Sequence, residues 1–378
     1  MMMISLRKRL LVFVLLILLA TGCTPERRWR LVRPQVRDAV LSYILENVPC
    51  DDGDWEEDFG DATFYSIAFF AGWGYEKGVD RYILLAHQTA DYVVRIYGES
   101  IRDPVLMERY LPDLIMGAFG LMELIPYDPQ PSYRETLQGI VLFLDLALAS
   151  QDYFIDGRTY PNYFASTYGT TVLNGLFASL FFQYALLFPN TYLASVCEGA
   201  GTRILSRVEE RMFDEEKGYF LFNPDEEGLY LYPNIVMIIS YLRAYQVLHD
   251  RSFLEMARKL HQAIQPLHSP RGGYRSPYSA SFMGAKTDDY STLSSQNYTM
   301  IAFILLYEAT GEEGYLEEVE EILDFIETHL WEDGKLLHHW MDGRAATPGD
   351  PEYYCSGCNF QFLYIQWYLE RSVLPGLG

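Results

Sequence analysis

Tyr315-Leu-Glu-Glu-Val-Glu-Glu-Ile-Leu-Asp-Phe-Ile-Glu-Thr-His-Leu330 decides the fold, because its apolar positions recur at helical spacing and acids fill the remaining ones. Its opening, Glu313-Gly-Tyr315-Leu, has four counterparts upstream: Asp80-Arg-Tyr82-Ile, Pro131-Ser-Tyr133-Arg, Asn190-Thr-Tyr192-Leu and Arg251-Ser-Phe253-Leu. The aromatic positions are 51, 59, 61 and 62 residues apart, a fixed-period pattern of helical repeats. Four residues after each comes Ala86, Leu137, Val196, Ala257 or Val319, on the same helix face. A more uniformly apolar helix precedes each one, over 62–73, 105–125, 171–188, 234–248 and 296–310.

Loop lengths set the geometry. Within a pair the links are short, such as Pro189-Asn190 or Gly311-Glu-Glu313, and short links join antiparallel neighbours. Between pairs, about 20–28 residues precede the helices that start near 171, 234, 296 and 359. All the long loops therefore leave at one end. The unmatched segments 36–48 and 359–373 supply a sixth pair, closing twelve helices into a ring. The expected class is all-α: a closed (α/α)6 six-hairpin toroid with short β-hairpins in the loops. Tyr219–Phe222, before a turn at Pro224–Gly228, and Lys335–Trp340, after Glu332-Asp-Gly334, read as those strands. The acidic runs read as solvated outer faces.

The stretches Ala309-Thr-Gly-Glu-Glu-Gly-Tyr-Leu316 and Trp331-Glu-Asp-Gly-Lys-Leu-Leu-His-His-Trp-Met-Asp-Gly-Arg344 resemble the six-hairpin glycosidase-like superfamily. The likeness is strongest to the helical portions of acylglucosamine-epimerase-like and thioredoxin-associated barrel proteins. It implies a carbohydrate-active protein, although a fold alone does not set a function.

The first residues suggest an address. Arg7, Lys8 and Arg9 precede an 11-residue apolar run, Leu10–Ala20, too short to span a bilayer and suited to a signal peptide. Ala20-Thr-Gly-Cys23 resembles a bacterial lipobox, which implies a lipid on Cys23 and a new terminus there; Thr24 is not the Asp of an inner-membrane retention signal. The division expected is 1–22 signal peptide, 23–34 anchor and tether, and 35–378 barrel. The protein would then be an envelope lipoprotein on a periplasmic, outer-membrane or cell-surface face. The net charge of −22 argues against nucleic-acid partners. Cys355-Ser-Gly-Cys358 reads as a local disulfide or plain thiols; a zinc site with His338 and His339 fits no finger spacing. No cofactor or metal is expected.

Thirty Tyr beside 22 Phe and 6 Trp suit aromatic surfaces that keep a hydroxyl for polar partners. The long loops also carry planar polar groups, among them Asn174, Asn234 and Gln296. A glycosidase needs a carboxylic acid and a second carboxylate. Asp288 and Asp289 are candidates for the acid, with Asp61 and Asp113 opposite. Tyr168, Tyr232, Tyr290, Tyr298 and Trp340 would line the sugar subsites, and Arg275 or Arg344 would hold an acidic substituent. Each carboxylate also has a structural use: Asp61 as a helix cap, Asp113 as a partner of Arg109. An epimerase-type mechanism would want histidines facing each other across the pocket, and His338 and His339 are adjacent. Hydrolysis or trimming of an envelope glycan is the favoured reading, and a non-catalytic glycan-binding or scaffold lipoprotein the alternative.

Overall fold

A computed structural model describes residues 31–48, 50–51, 54–55, 61–156, 163–224, 226–277, 289–350 and 353–377. Arg7–Ala20 and Cys23 lie outside them.

Twelve α-helices are present among these residues: α1 Pro34–Asn47, α2 Asp61–Lys77, α3 Asp80–Ser100, α4 Pro104–Leu124, α5 Pro131–Ala149, α6 Tyr163–Leu187, α7 Tyr192–Met212, α8 Leu231–Leu248, α9 Arg251–Ile264, α10 Leu293–Thr310, α11 Gly314–His329 and α12 Ser356–Tyr368. Local chemistry sets many of the ends. Pro34 and Pro131 open helices at positions where a missing N–H costs nothing. Thr191, Asp250 and Thr292 cap α7, α9 and α10 through their side-chain oxygens. His249 and Gly311 stop α8 and α10 in the left-handed region, which makes the short turns into α9 and α11.

The even-numbered helices form an inner ring. Each packs on the next, and α12 returns to α2, so the ring closes. The odd-numbered helices form the outer layer, with α1 covering α12 as the sixth hairpin. Leu231, Pro233–Ile238, Ser240–Leu242 and Ala244 of α8 are buried on nearly every side, whereas outer α9 buries only Ala257, Leu260 and Ile264. Closure also links the chain ends: Arg33 N donates to Gln366 Oε1 at 2.6 Å, and Arg37 pairs with Glu370 at 2.9 Å.

The strands are short: β1 Cys50–Asp51, β2 Asp54–Trp55, β3 Phe213–Asp214, β4 Tyr219–Phe220, β5 Tyr290–Thr292, β6 Trp331–Glu332, β7 Lys335–Leu336, β8 His339–Met341 and β9 Arg344–Ala345. Asp333-Gly334 and Asp342-Gly343 turn β6 into β7 and β8 into β9, all four with positive φ, as two-residue hairpin turns require. Two expectations are corrected here. The strand at Tyr219 pairs back with Phe213–Asp214 at the end of α7, not onward across Pro224–Gly228, because Asp214 Oδ1 accepts from Lys217 N and closes the turn there. β8 pairs with β5 as well as β9, so one three-stranded sheet spans two long loops.

The repeated aromatic is also uneven. Tyr133 and Tyr315 are buried, but Tyr192 is 86% exposed, because α7 buries Ala194, Cys197 and Gly201 instead. The acidic face of α11 is not wholly solvated either: Glu318 is half-buried and accepts from His261 and Tyr274.

One device recurs at the loop end. Asn174, Asn234, Gln296 and Asn359 stand at or near the starts of the inner helices and are fully buried. Each accepts from one loop residue's N–H and donates to the same residue's carbonyl, the partners being Ile155, Phe220, Tyr274 and Leu336, at 2.6–3.1 Å. The three asparagines also donate to the carbonyl four residues back, at Thr170, Tyr230 and Cys355. Truncating Asn234 to Ala leaves the buried N–H and C=O of Phe220 unpaired, so it should destabilise by about 2–4 kcal/mol. Urea unfolding checks this; a loss under about 0.5 kcal/mol, the size of an ordinary surface change, would mean that water replaces the amide at no cost.

Candidate functional site

All six inner helices run in the same direction, so their N-termini and the long loops share one mouth, and the short turns close the other end. Six aligned helix starts give the mouth a positive potential that favours carboxylates. Gly120 of α4 meets α2 so closely that a Cβ there would lie 3.0 Å from Ile67 Cβ. Two turns towards the mouth from that contact, α4 carries Asp113, and α2 begins at Asp61. These two positions lie at one level on neighbouring helices, whose axes pack about 8–10 Å apart.

Below that level the barrel axis holds a cavity of about 70 Å³ to which every inner helix contributes. Phe64, Tyr65, Phe119, Tyr298 and Tyr364 make its aromatic wall, and Glu123, Gln183 and Arg243 are its polar groups with the longest reach. Tyr298 meets Tyr232 edge-on at 5.2 Å. Glu123 Oε1 accepts from Gln183 Nε2 at 3.1 Å and from Tyr364 OH at 3.5 Å. Burial pushes the Glu123 carboxyl above its usual range, against the opposing effect of Arg243 and Arg371. The side chain is only half-covered because it borders the cavity, which is itself partly open.

No protein-family model and no curated protein sequence matches the chain. Solved structures do match it. The GH76 alpha-mannanase of Bacteroides thetaiotaomicron aligns with a TM-score of 0.64 at 13% identity, covering 90% of this chain and 96% of that one. A glycosyl hydrolase of family 88 from Bacteroides vulgatus gives 0.59 at 12%, covering 89% and 97%. Cellobiose 2-epimerase from Bacillus thermoamylovorans gives 0.57 at 15%, covering 87% and 98%. The fold is that of the six-hairpin glycosidase-like (α/α)6 barrels.

Within this barrel the residues expected from sequence fall into three groups. Asp113, Tyr232 and Tyr298 lie on the inner helices at or near the mouth. Asp288 lies outside the described residues, as do the side chains of Asp61 and Tyr168, although the backbone of both is helical. The others are engaged elsewhere. Both oxygens of Asp289 accept from Arg271, at 2.6 and 2.7 Å. Arg344 forks onto Asp350 at 2.6 and 3.0 Å, which holds that carboxyl below its usual range. Arg275 donates to the Pro266 carbonyl at 2.6 Å. Along β8 the side chains alternate: His339 stacks on buried Tyr290 at 5.3 Å, while Trp340 lies 4.5 Å from His329 of outer α11.

Burial lowers the basicity of both His338 and His339. Burial, aided by its neighbour, takes His338 down to about 3. Cys355 and Cys358 form a disulfide at the start of α12, and Cys355 Sγ accepts from Cys358 N. Asn174, Asn234 and Gln296, expected as polar groups for a sugar, are the amide ties of the loops. Glu123 and Arg243 were not legible as site residues because they stand late in the inner helices α4 and α8, far from the long loops. The available signal was a lone charge in an apolar inner helix, as in Gly120-Leu-Met-Glu123-Leu.

A carboxyl with a raised folded-state pKa opposes folding once pH climbs past its unfolded value, which is 4.5 for this side chain. Below that pH both states hold the proton and the penalty vanishes. The gain in Tm of Glu123→Gln over the native protein should therefore be larger at pH 7.5 than at pH 4. Thermal melts at the two pH values test it, and an equal or reversed difference contradicts the buried-acid assignment.

Proposed function

We propose that the protein is a carbohydrate-active hydrolase of the cell envelope that binds a glycan at the barrel mouth and cleaves it with the carboxyl groups of Asp61 and Asp113. The observation that carries this reading is the pairing of those two positions at one level on adjacent inner helices, above a tyrosine-walled axial cavity. Facing carboxyl groups about 5–9.5 Å apart are what glycoside hydrolysis uses. One gives a proton to the leaving oxygen; the other, kept ionised by the surrounding helix starts, attacks or activates water. Tyr232 and Tyr298 offer ring faces and hydroxyls to the sugar. The solved mannanase and family 88 hydrolase on the same fold support carbohydrate as the substrate class.

The alternative is glycan binding without turnover. It is favoured by the engagement of Asp289, Arg275 and Arg344 in internal contacts. Incubation with a panel of neutral and acidic polysaccharides, followed by product analysis, separates the two. Asp113→Asn and Asp61→Asn should each lower kcat at least 10²-fold with little change in KM. Binding without products throughout the panel would favour the alternative.

Envelope placement rests on the signal-like run and Cys23. Cys23→Ser should move the protein from the detergent phase to the aqueous phase in a partition experiment. Unchanged partitioning would remove the lipid anchor.

A further inference from the structure

We propose that Cys355–Cys358 is a thiol–disulfide exchange site at the barrel mouth, which takes two electrons from external thiols through Cys355. This activity is separate from the glycan reading and does not depend on it. Four observations lead there.

The first is asymmetry. Cys355 is half-buried and Cys358 is 3% exposed, so the approachable half of the bond is Cys355. The second is position. Cys355 is the N-cap of α12, a 13-residue helix, and its Sγ accepts from Cys358 N at 3.0 Å. A helix start stabilises a thiolate, and this sulfur is already placed to receive an N–H. A thiol pair whose reduced form is stabilised in this way makes an oxidising disulfide.

The third observation is that the chain is held here without the bond. Asn359 N and Nδ2 both donate to the Cys355 carbonyl, at 3.2 and 2.8 Å, while the same side chain grips Leu336. A bridge between residues three apart also removes little freedom from the unfolded chain. The fourth is a buried amide beside Cys358. Asn297 of α10 is wholly buried and donates Nδ2 to the Cys358 carbonyl at 2.8 Å, and its Oδ1 has no donor among the described residues. The disulfide has no hydrogen to offer such an acceptor, whereas a reduced Cys358 carries a thiol proton. Cys197 takes no part, since burial pushes its thiol up to about 12.

The exchange balances. An external thiolate attacks Cys355 Sγ and the Cys355–Cys358 bond breaks. Its electron pair leaves on Cys358 Sγ, which takes the proton that the attacking thiol gave up. A second thiolate, from the same partner or another, then attacks the partner sulfur of the mixed disulfide and releases the Cys355 thiolate. Two external thiols have become a disulfide, and the protein holds both electrons as a dithiol.

The full chain in detergent is equilibrated with glutathione buffers and alkylated, and peptide masses then report each cysteine. Half or more of the bond should be open at about 10 mM reduced glutathione with about one part in a hundred oxidised. The Tm of the reduced protein should fall by less than about 5 °C. In Cys358→Ser, Cys355 should form the glutathione mixed disulfide at least tenfold faster than Cys358 does in Cys355→Ser. A bond that stays closed, a larger fall in Tm, or equal rates at the two sulfurs overturns the proposal. Should either variant not fold, as circular dichroism would show, the equilibrium of the native chain decides. A reduced two-cysteine peptide distinguishes the source of the thiols. Opening the bond tenfold faster per thiol than glutathione identifies a polypeptide partner, and equal rates identify small thiols, the exchange site standing in both cases.

Discussion

The barrel depends on four buried amides. Loops of twenty residues leave the outer helices, and each must re-enter the ring at a fixed height if the next inner helix is to pack. Closing such loops costs entropy that turn chemistry alone does not offset. Asn174, Asn234, Gln296 and Asn359 meet this by gripping one loop residue through both of its backbone groups. The grip satisfies backbone that would otherwise be buried unpaired, and it adds no charge to the interior. An ionised side chain there would face a carbonyl or an N–H of the wrong sense. The helix starts are thereby held in one plane, and the mouth is a consequence of that plane.

Closure of the ring makes a second demand, because the last inner helix has no following partner in sequence. Helix α1 fills that place from the opposite end of the chain. Gln366 of α12 accepts from Arg33 N, and Arg37 reaches Glu370 just beyond α12. These contacts join residues more than 300 positions apart, so the barrel cannot be completed until both ends of the chain are present. The disulfide at Cys355–Cys358 stands at the same seam, at the start of α12 beside the Asn359 tie.

The repeat was legible because burial on one face of a helix leaves a period that divergence does not erase. It failed at Tyr192, where the aromatic sits one residue after the cap and the buried stripe begins at Ala194. The amides were visible as residues and misread in role, since an asparagine that suits a sugar hydroxyl suits a backbone amide equally well. Only the partner distinguishes them, and the partners are 14–23 residues away with no local pattern. Asp289 illustrates the same limit: Arg271, which claims both of its oxygens, lies across a loop. Glu123 was legible only as an oddity of composition. Its meaning needs the ring, which brings Gln183 and Tyr364 from two other repeats to one oxygen.

The parallel inner ring also divides the axis electrically. At the mouth six helix starts converge, and a carboxyl there is drawn towards its ionised form. At the floor the partial charges reverse, for Glu123 lies in the last turn of α4 among helix ends that disfavour a second negative charge. Desolvation acts in the same direction, and Arg243 with Arg371 offsets only part of it. One residue class thus acquires opposite protonation tendencies some 15 Å apart on a single helix, by position alone. In this barrel the amide ties fix where four of the six inner helices begin, and with that the direction of the field along the axis.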